Sequence, residues 1–212
     1  MEVLDNPILQ AEDVSVARGG RVLLKHVSFA IRPGATLVLK APNGLGKTTL
    51  LRALAGLQPI LSGQIHLDPE TAVYAGHMDG LKPTLSVAEN LSFWADIFGA
   101  DTITDSLRLF GLEAMQTRLA GNLSAGQKRR LGLSRLWLTK RRVWLLDEPT
   151  VSLDQQAMGQ FAAMVAAHLQ SGGAAVIATH IDLGLDARVQ ILNLAQFKAK
   201  GAALERAEET FL

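Results

Sequence analysis

A chain of 212 residues with 48% hydrophobic and 19% charged side chains is long enough for a substantial core and too apolar to remain disordered. Its formal net charge of +1 gives no whole-chain basic footprint, so no nucleic-acid partner is expected, and the lack of cysteine excludes disulfides, thiolate metal sites and cysteine nucleophiles. The opening "MEVLDNPILQ" has no basic stretch leading into an apolar run, and nothing approaches the ~18–20 apolar residues of a membrane span, so a soluble chain without a signal peptide is expected.

"ILQAEDVSVA" (8–17) and "VLLKHVSFAI" (22–31) read as two strands joined by a turn at "RGG". "TLVLKA" (36–41) fits a buried strand, and "TTLLRALAG" (48–56) has helical spacing with Gly56 as its stop. "SGQIHL" (62–67) and "TAVYAG" (71–76) are further short strands. From about residue 78 to 142 the pattern turns helical, in "SVAENLSFWADIFG", "TITDSLRLFGL" and "SAGQKRRLGLSRLWLTK". Ser86 and Ser124 stand where helix caps belong, with Glu89 placed for a capping box. The basic residues of "QKRRLGLSRLWLTKRR" read as a solvated helix face. "VWLLD" (143–147) and "AAVIATH" (174–180) are buried strands flanking a helix at 155–172, and "ARVQILNL" (187–194) is one more strand. Strands alternating with helices predict an α/β fold whose mostly parallel sheet is covered on both faces. One domain spans 1–212, with a core lobe at 1–77 and 143–212 and a helical lobe at 78–142.

Residues 41–48, "APNGLGKT", match the phosphate-loop pattern G-x-x-x-x-G-K-[ST] at every defined position but the first. Backbone N–H groups of such a turn and of the helix after it converge on an anion, and the helix dipole adds to the attraction. The expected ATP-binding residues are Ala41, Pro42, Asn43, Gly44, Leu45, Gly46, Lys47, Thr48 and Thr49. Gly44 and Gly46 supply backbone freedom, Lys47 reaches the β- and γ-phosphates, and the Thr48 hydroxyl reaches Mg²⁺. A left-handed Ala41 would cost about 1–2 kcal/mol, so this position is expected at negative φ.

Three later stretches narrow the class. "LSAGQ" comprises Leu123, Ser124, Ala125, Gly126 and Gln127 and opens a helix; "VWLLDEPT" ends a strand in Asp147 and Glu148; "SLD", at Ser152, Leu153 and Asp154, follows closely. His180 closes "AAVIATH". In this order and spacing the chain resembles, over essentially its whole length, the nucleotide-binding subunits of ABC transporters. The resemblance implies a RecA-like P-loop core with an antiparallel β subdomain and an inserted helical subdomain. It implies an ATPase in which Asp147 holds Mg²⁺ through water, Glu148 is the general base, and His180 accompanies the γ-phosphate as a catalytic residue with Lys47. It also implies a head-to-tail homodimer, each copy's signature residues 123–127 closing on the other's ATP, with 152–154 as the loop between them.

Two positions depart from that family's pattern. Counting back from Lys47, the aromatic residue that stacks on adenine is replaced by Arg18, whose guanidinium plane can also stack on a purine. Counting back from "SVAEN", the glutamine that touches Mg²⁺ is replaced by His77. A neutral imidazole can ligate metal, a protonated one repels it, and turnover is expected to fall in mild acid. "GH" followed by "LKPTLSVAENLSFW" and "VWLLDEPTVSLD", with Trp94, Trp137 and Trp144, is similar to the cytochrome c maturation branch of the family. That narrower resemblance implies membrane partners CcmB, CcmC and CcmD, a place at the cytoplasmic face of the bacterial inner membrane, and a link to release of haem-loaded CcmE. With no cysteine and scattered histidines, the chain itself is expected to bind no haem. The alternatives are an ABC ATPase serving another solute, or a soluble ABC ATPase outside transport.

Overall fold

A computed structural model describes residues 6–185 and 188–199. The N-terminal stretch 1–5, Ala187 at the start of the expected last strand, and 200–212 lie outside the described residues.

Strands β1 (Leu9–Arg18) and β2 (Arg21–Ile31) pair antiparallel through the turn at Gly19 and Gly20. β3 (Ala35–Lys40) then leads into helix α1 (Lys47–Leu54). β4 (Ser62–His66) returns to the free edge of β1, completing a three-stranded antiparallel sheet in the order β2-β1-β4. After β5 (Ala72–Ala75) come α2 (Val87–Phe98), α3 (Thr104–Leu109) and α4 (Ala125–Leu138). β6 (Val143–Asp147), α5 (Gln155–Gln170), β7 (Ala174–Ala178) and β8 (Arg188–Asn193) complete a parallel sheet in the order β5-β6-β7-β3-β8. The non-sequential order is what crossover connections produce.

The central strands β6 and β7 are buried at every position, which is why they read as unbroken apolar runs. One face of the sheet offers Leu37, Leu39, Leu145 and Val176 to Leu50, Leu51 and Leu54 of α1 and to Val14, Leu24 and Val27 of the antiparallel sheet. The other face offers Trp144, Leu146, Ala175 and Ile177 to Phe161, Met164 and Val165 of α5. Leu91, Phe110, Leu131 and Leu136 from the helical stretch join this second core. The inserted helices therefore pack as an extension of the sheet's α5 side. Cover on both faces, expected for the whole sheet, is incomplete at β8. Val189 and Ile191 are exposed there, because the connection from β7 shows no helix among its described residues 179–185.

The predicted capping box of α2 is present, and the cap expected at Ser124 is a capping box as well. Glu89 N donates to Ser86 Oγ at 3.1 Å and Ser86 N to Glu89 Oε2 at 2.7 Å; Ser124 and Gln127 repeat the exchange at 3.2 and 2.9 Å. Each pair satisfies two helix-end donors that would otherwise lack a partner.

Candidate active site

The carboxyl ends of β3, β6 and β7 meet the N-terminus of α1 around a cavity of about 610 Å³, in the crevice where parallel α/β sheets bind ligands. Of the expected residues, Arg18, Asn43, Gly44, Gly46, Lys47, Thr48, Thr49, His77, Asp147, Glu148 and His180 line it. Gly44 and Gly46 take φ of +78° and +118°, and a Cβ on Gly46 would come within 3.2 Å of Leu23 Cβ. Both glycines are thus required by backbone conformation, and Gly46 by packing as well. Ala41 is not among the positive-φ residues, as its methyl group requires. Ala41, Pro42 and Leu45 shape the loop without lining the cavity; Leu45 packs towards the core beneath.

Lys47 is buried, with four groups gathered about its ammonium. Its Nζ donates to Ala41 O at 2.9 Å, to Asn43 Oδ1 at 3.3 Å and to His180 Nε2 at 2.7 Å, and lies 3.4 Å from Glu148 Oε1. An ammonium only donates, so His180 Nε2 accepts in this contact; the same nitrogen lies 3.1 Å from Asn43 Oδ1. Glu148 has φ of +48°, a region non-glycine residues rarely occupy. It is held there from both sides: its N–H donates to Ala178 O at 2.9 Å, and its carbonyl accepts from Arg129 Nη2 at 2.9 Å.

Asp147 is fully buried, and its Oδ1 has no hydrogen-bond partner among the described residues. Its Oδ2 accepts from the Tyr74 hydroxyl at 3.3 Å and lies 3.7 Å from His77 Nε2. An orphaned buried carboxylate oxygen in a cavity that Thr48 also lines suits a hard divalent cation. Among the described residues no three or more His, Cys, Asp or Glu side chains converge as a metal cage, so the protein donors available here are few. Burial, and then the neighbouring Asp147 charge, push the Tyr74 phenol up to about 12, so it stays protonated and donates.

The signature residues Leu123, Ser124, Ala125, Gly126 and Gln127 do not line this cavity. Ser124 caps α4, and a Cβ on Gly126 would stand 2.8 Å from Ser152 O, so α4 abuts the loop of Ser152, Leu153 and Asp154. Asp154 caps α5, accepting from Ala157 N at 2.8 Å. Arg18, exposed at the end of β1, reaches the outer rim of the cavity.

The structure corrects the reading of the basic run as a solvated face. Arg129 is buried; it donates to Pro149 O at 3.0 Å, Gly76 O at 3.0 Å and Asp79 Oδ1 at 3.1 Å, besides Glu148 O. Arg135 is half-buried over the Trp94 ring, 5.0 Å from its centroid, and burial lowers its pKa from the ordinary arginine value. The side chains are long enough to bury their stems while their heads find carbonyl and aromatic partners. Trp144 is core, stacked on His168 at 3.8 Å, while Trp137 is half-buried. Trp94 and Phe98, stacked at 5.9 Å, line a second cavity of about 360 Å³ with Tyr74, Arg135 and Arg141. Phe93 is exposed beside them under the Lys82 ammonium. Sequence reasoning missed Tyr74 and Arg129. The only signal for Tyr74 was that the chain's one tyrosine stands three residues before His77.

The fold and these motifs are those of a P-loop ATPase. The ABC transporter family model matches residues 24–151, and the chain belongs to that family. It is similar to two proteins named cytochrome c biogenesis ATP-binding export protein CcmA. The Ruegeria pomeroyi protein is 56% identical over 96% of this chain and 99% of its own length. The Paracoccus denitrificans protein is 58% identical over 91% of each. A Pyrococcus furiosus structure assigned as an ABC transporter ATP-binding protein shares the fold, with TM-score 0.80 at 23% identity, covering 90% of this chain and 99% of that one. No helix among the described residues is long and apolar enough to cross a membrane.

Proposed function

We propose that the chain is the ATP-hydrolysing subunit of an ABC-type membrane complex for c-type cytochrome biogenesis, acting at the cytoplasmic face of the bacterial inner membrane. The observation that carries this is the meeting of Lys47, Asp147, Glu148 and His180 around one cavity in a chain so similar, end to end, to proteins named for that process. Backbone N–H groups of the phosphate loop and of α1 receive the phosphates, and Arg18 stacks on the base. Lys47 turns from its present acceptors to the β- and γ-phosphates. Glu148 takes the proton of the attacking water; once Lys47 has turned away, His180 Nε2, 3.5 Å from Glu148 Oε1, carries the ring proton and orients the carboxylate by donating to it. Thr48 and Asp147 would hold Mg²⁺, which would supply positive charge to neutralise the phosphate oxygens. His77 faces that position, and a His77→Gln variant tests whether it sets the acid side of the pH–rate profile.

The anion site at the N-terminus of α4 completes the reaction from a second copy, whose Ser124 hydroxyl and Gly126 N–H close on the γ-phosphate. The cavity of Trp94, Phe98, Arg135 and Arg141 receives a helix of the membrane subunits, which by resemblance are CcmB, CcmC and CcmD. The chain itself binds no haem. A deletion strain should lose holo-cytochrome c, regain it with the wild-type gene and not with Glu148→Gln. Holo-cytochrome c persisting in the deletion strain would refute the assignment.

A further inference from the structure

Tyr74 lines the second cavity and is hydrogen-bonded to Asp147, which lines the first. Its hydroxyl holds Asp147 Oδ2 at 3.3 Å. Tyr74 also forms part of the groove shared with Trp94, Phe98 and Arg135. It projects from β5, an edge strand, where the backbone has a partner on one side only. The carboxylate it touches is fully buried; among the described residues this is its one hydrogen bond, Oδ1 has none, and His77 Nε2 stands farther off, 3.7 Å from Oδ2. The χ2 torsion of an aspartate is broad and soft, so a carboxylate with one hydrogen bond owes its orientation to that bond. Partners of this kind orient metal-binding carboxylates, and their loss weakens metal affinity roughly 10–100-fold.

We propose that Tyr74 is a positioning residue that sets the Asp147 carboxylate for the divalent cation and conveys to it the occupancy of the lobe groove. The inference rests on the ATPase reading and extends it to regulation: an occupant that presses on the phenol ring moves the hydroxyl, and the carboxylate turns with it. Neither the groove nor the metal position need move as a whole.

The test is a Mn²⁺ titration, followed by electron paramagnetic resonance, of the full chain loaded with a non-hydrolysable ATP analogue. Tyr74→Phe keeps the ring and deletes the hydroxyl. We expect its Mn²⁺ affinity to fall about tenfold with metal-free nucleotide affinity unchanged. Equal Mn²⁺ affinity in wild type and Tyr74→Phe overturns the role, and so does a parallel loss of metal-free nucleotide affinity, which marks general damage. A wild-type chain that binds no nucleotide overturns the ATPase reading instead. In the assembled membrane complex, Mn²⁺ affinity should shift from that of the isolated wild-type chain and not shift in Tyr74→Phe. Equal shifts in both overturn the link to the groove.

Discussion

Lys47 Nζ lies 2.7 Å from His180 Nε2, so a phosphate-loop lysine and a histidine remote in sequence share one contact. Glu148 Oε1 completes the triangle, 3.4 Å from the lysine and 3.5 Å from the histidine. Glu148 is thus engaged by the lysine that, in the proposed reaction, turns to the phosphates. Glu148→Gln should lower phosphate release by about 10²–10⁴-fold while ATP binding persists. Near-wild-type release would remove Glu148 from the chemistry.

Ser124 and its neighbours lie outside the cavity of their own chain, so a site completed by a partner makes a prediction that a self-contained one does not. Ser124→Arg should abolish turnover and leave nucleotide binding intact. Lys47→Ala should abolish turnover through the other half-site. Mixing the two should restore activity, because one site of each heterodimer joins an intact loop to an intact α4 N-terminus. A mixture as inactive as its components would show that the halves do not cooperate.

The elements that frame the cavity were legible because their signals are local. The phosphate loop, the caps of α2 and α4 and the acidic end of β6 each depend on residues within a few positions of one another, and each was found where expected. Tyr74 and Arg129 were not legible, since their partners lie 73 and about 20 to 53 residues away and no periodicity records a contact across the sheet. The basic run misled for a related reason. Charge count does not distinguish a guanidinium in water from one whose stem is buried under carbonyl acceptors. Likewise, alternation of strand and helix predicted cover for the sheet, whereas no helix stands among the described residues 179–185 before β8, and Val189 and Ile191 are exposed.

His168 gives a pH prediction remote from the ATP site. Its ring stacks on Trp144 and its Nε2 faces Ala174 O at 3.3 Å; desolvation lowers its pKa below the ordinary histidine value, opposed by the backbone carbonyls of Ala174 and Arg142. A buried base with a depressed pKa folds best when neutral. Its stabilising contribution is complete above the unfolded value of about 6.5 and is lost as pH falls through the lower folded value. Thermal unfolding scans in mild acid should therefore show a steeper loss of Tm in wild type than in His168→Gln, whose amide can still donate to Ala174 O. Parallel Tm–pH curves would clear His168 of the effect.

Arg129 fastens three segments that the active site needs together. One guanidinium joins the Gly76 carbonyl beside His77, Asp79 in the following loop, and the carbonyls of Glu148 and Pro149. The Glu148 bond matters most, because that residue sits at positive φ and a pinned carbonyl helps to keep it there. Removing the cation leaves buried acceptors unpaired and Asp79 without its ion partner, so Arg129→Ala should cost roughly 2–4 kcal/mol in stability. Arg129→Lys should recover only part of this, since a single ammonium cannot span acceptors arrayed around a planar fork. Turnover in Arg129→Lys should fall further than nucleotide affinity, because the base shifts while the phosphate loop does not. Denaturant unfolding with parallel assays of binding and phosphate release checks both. Equal losses in the two assays would make Arg129 a support of the fold alone.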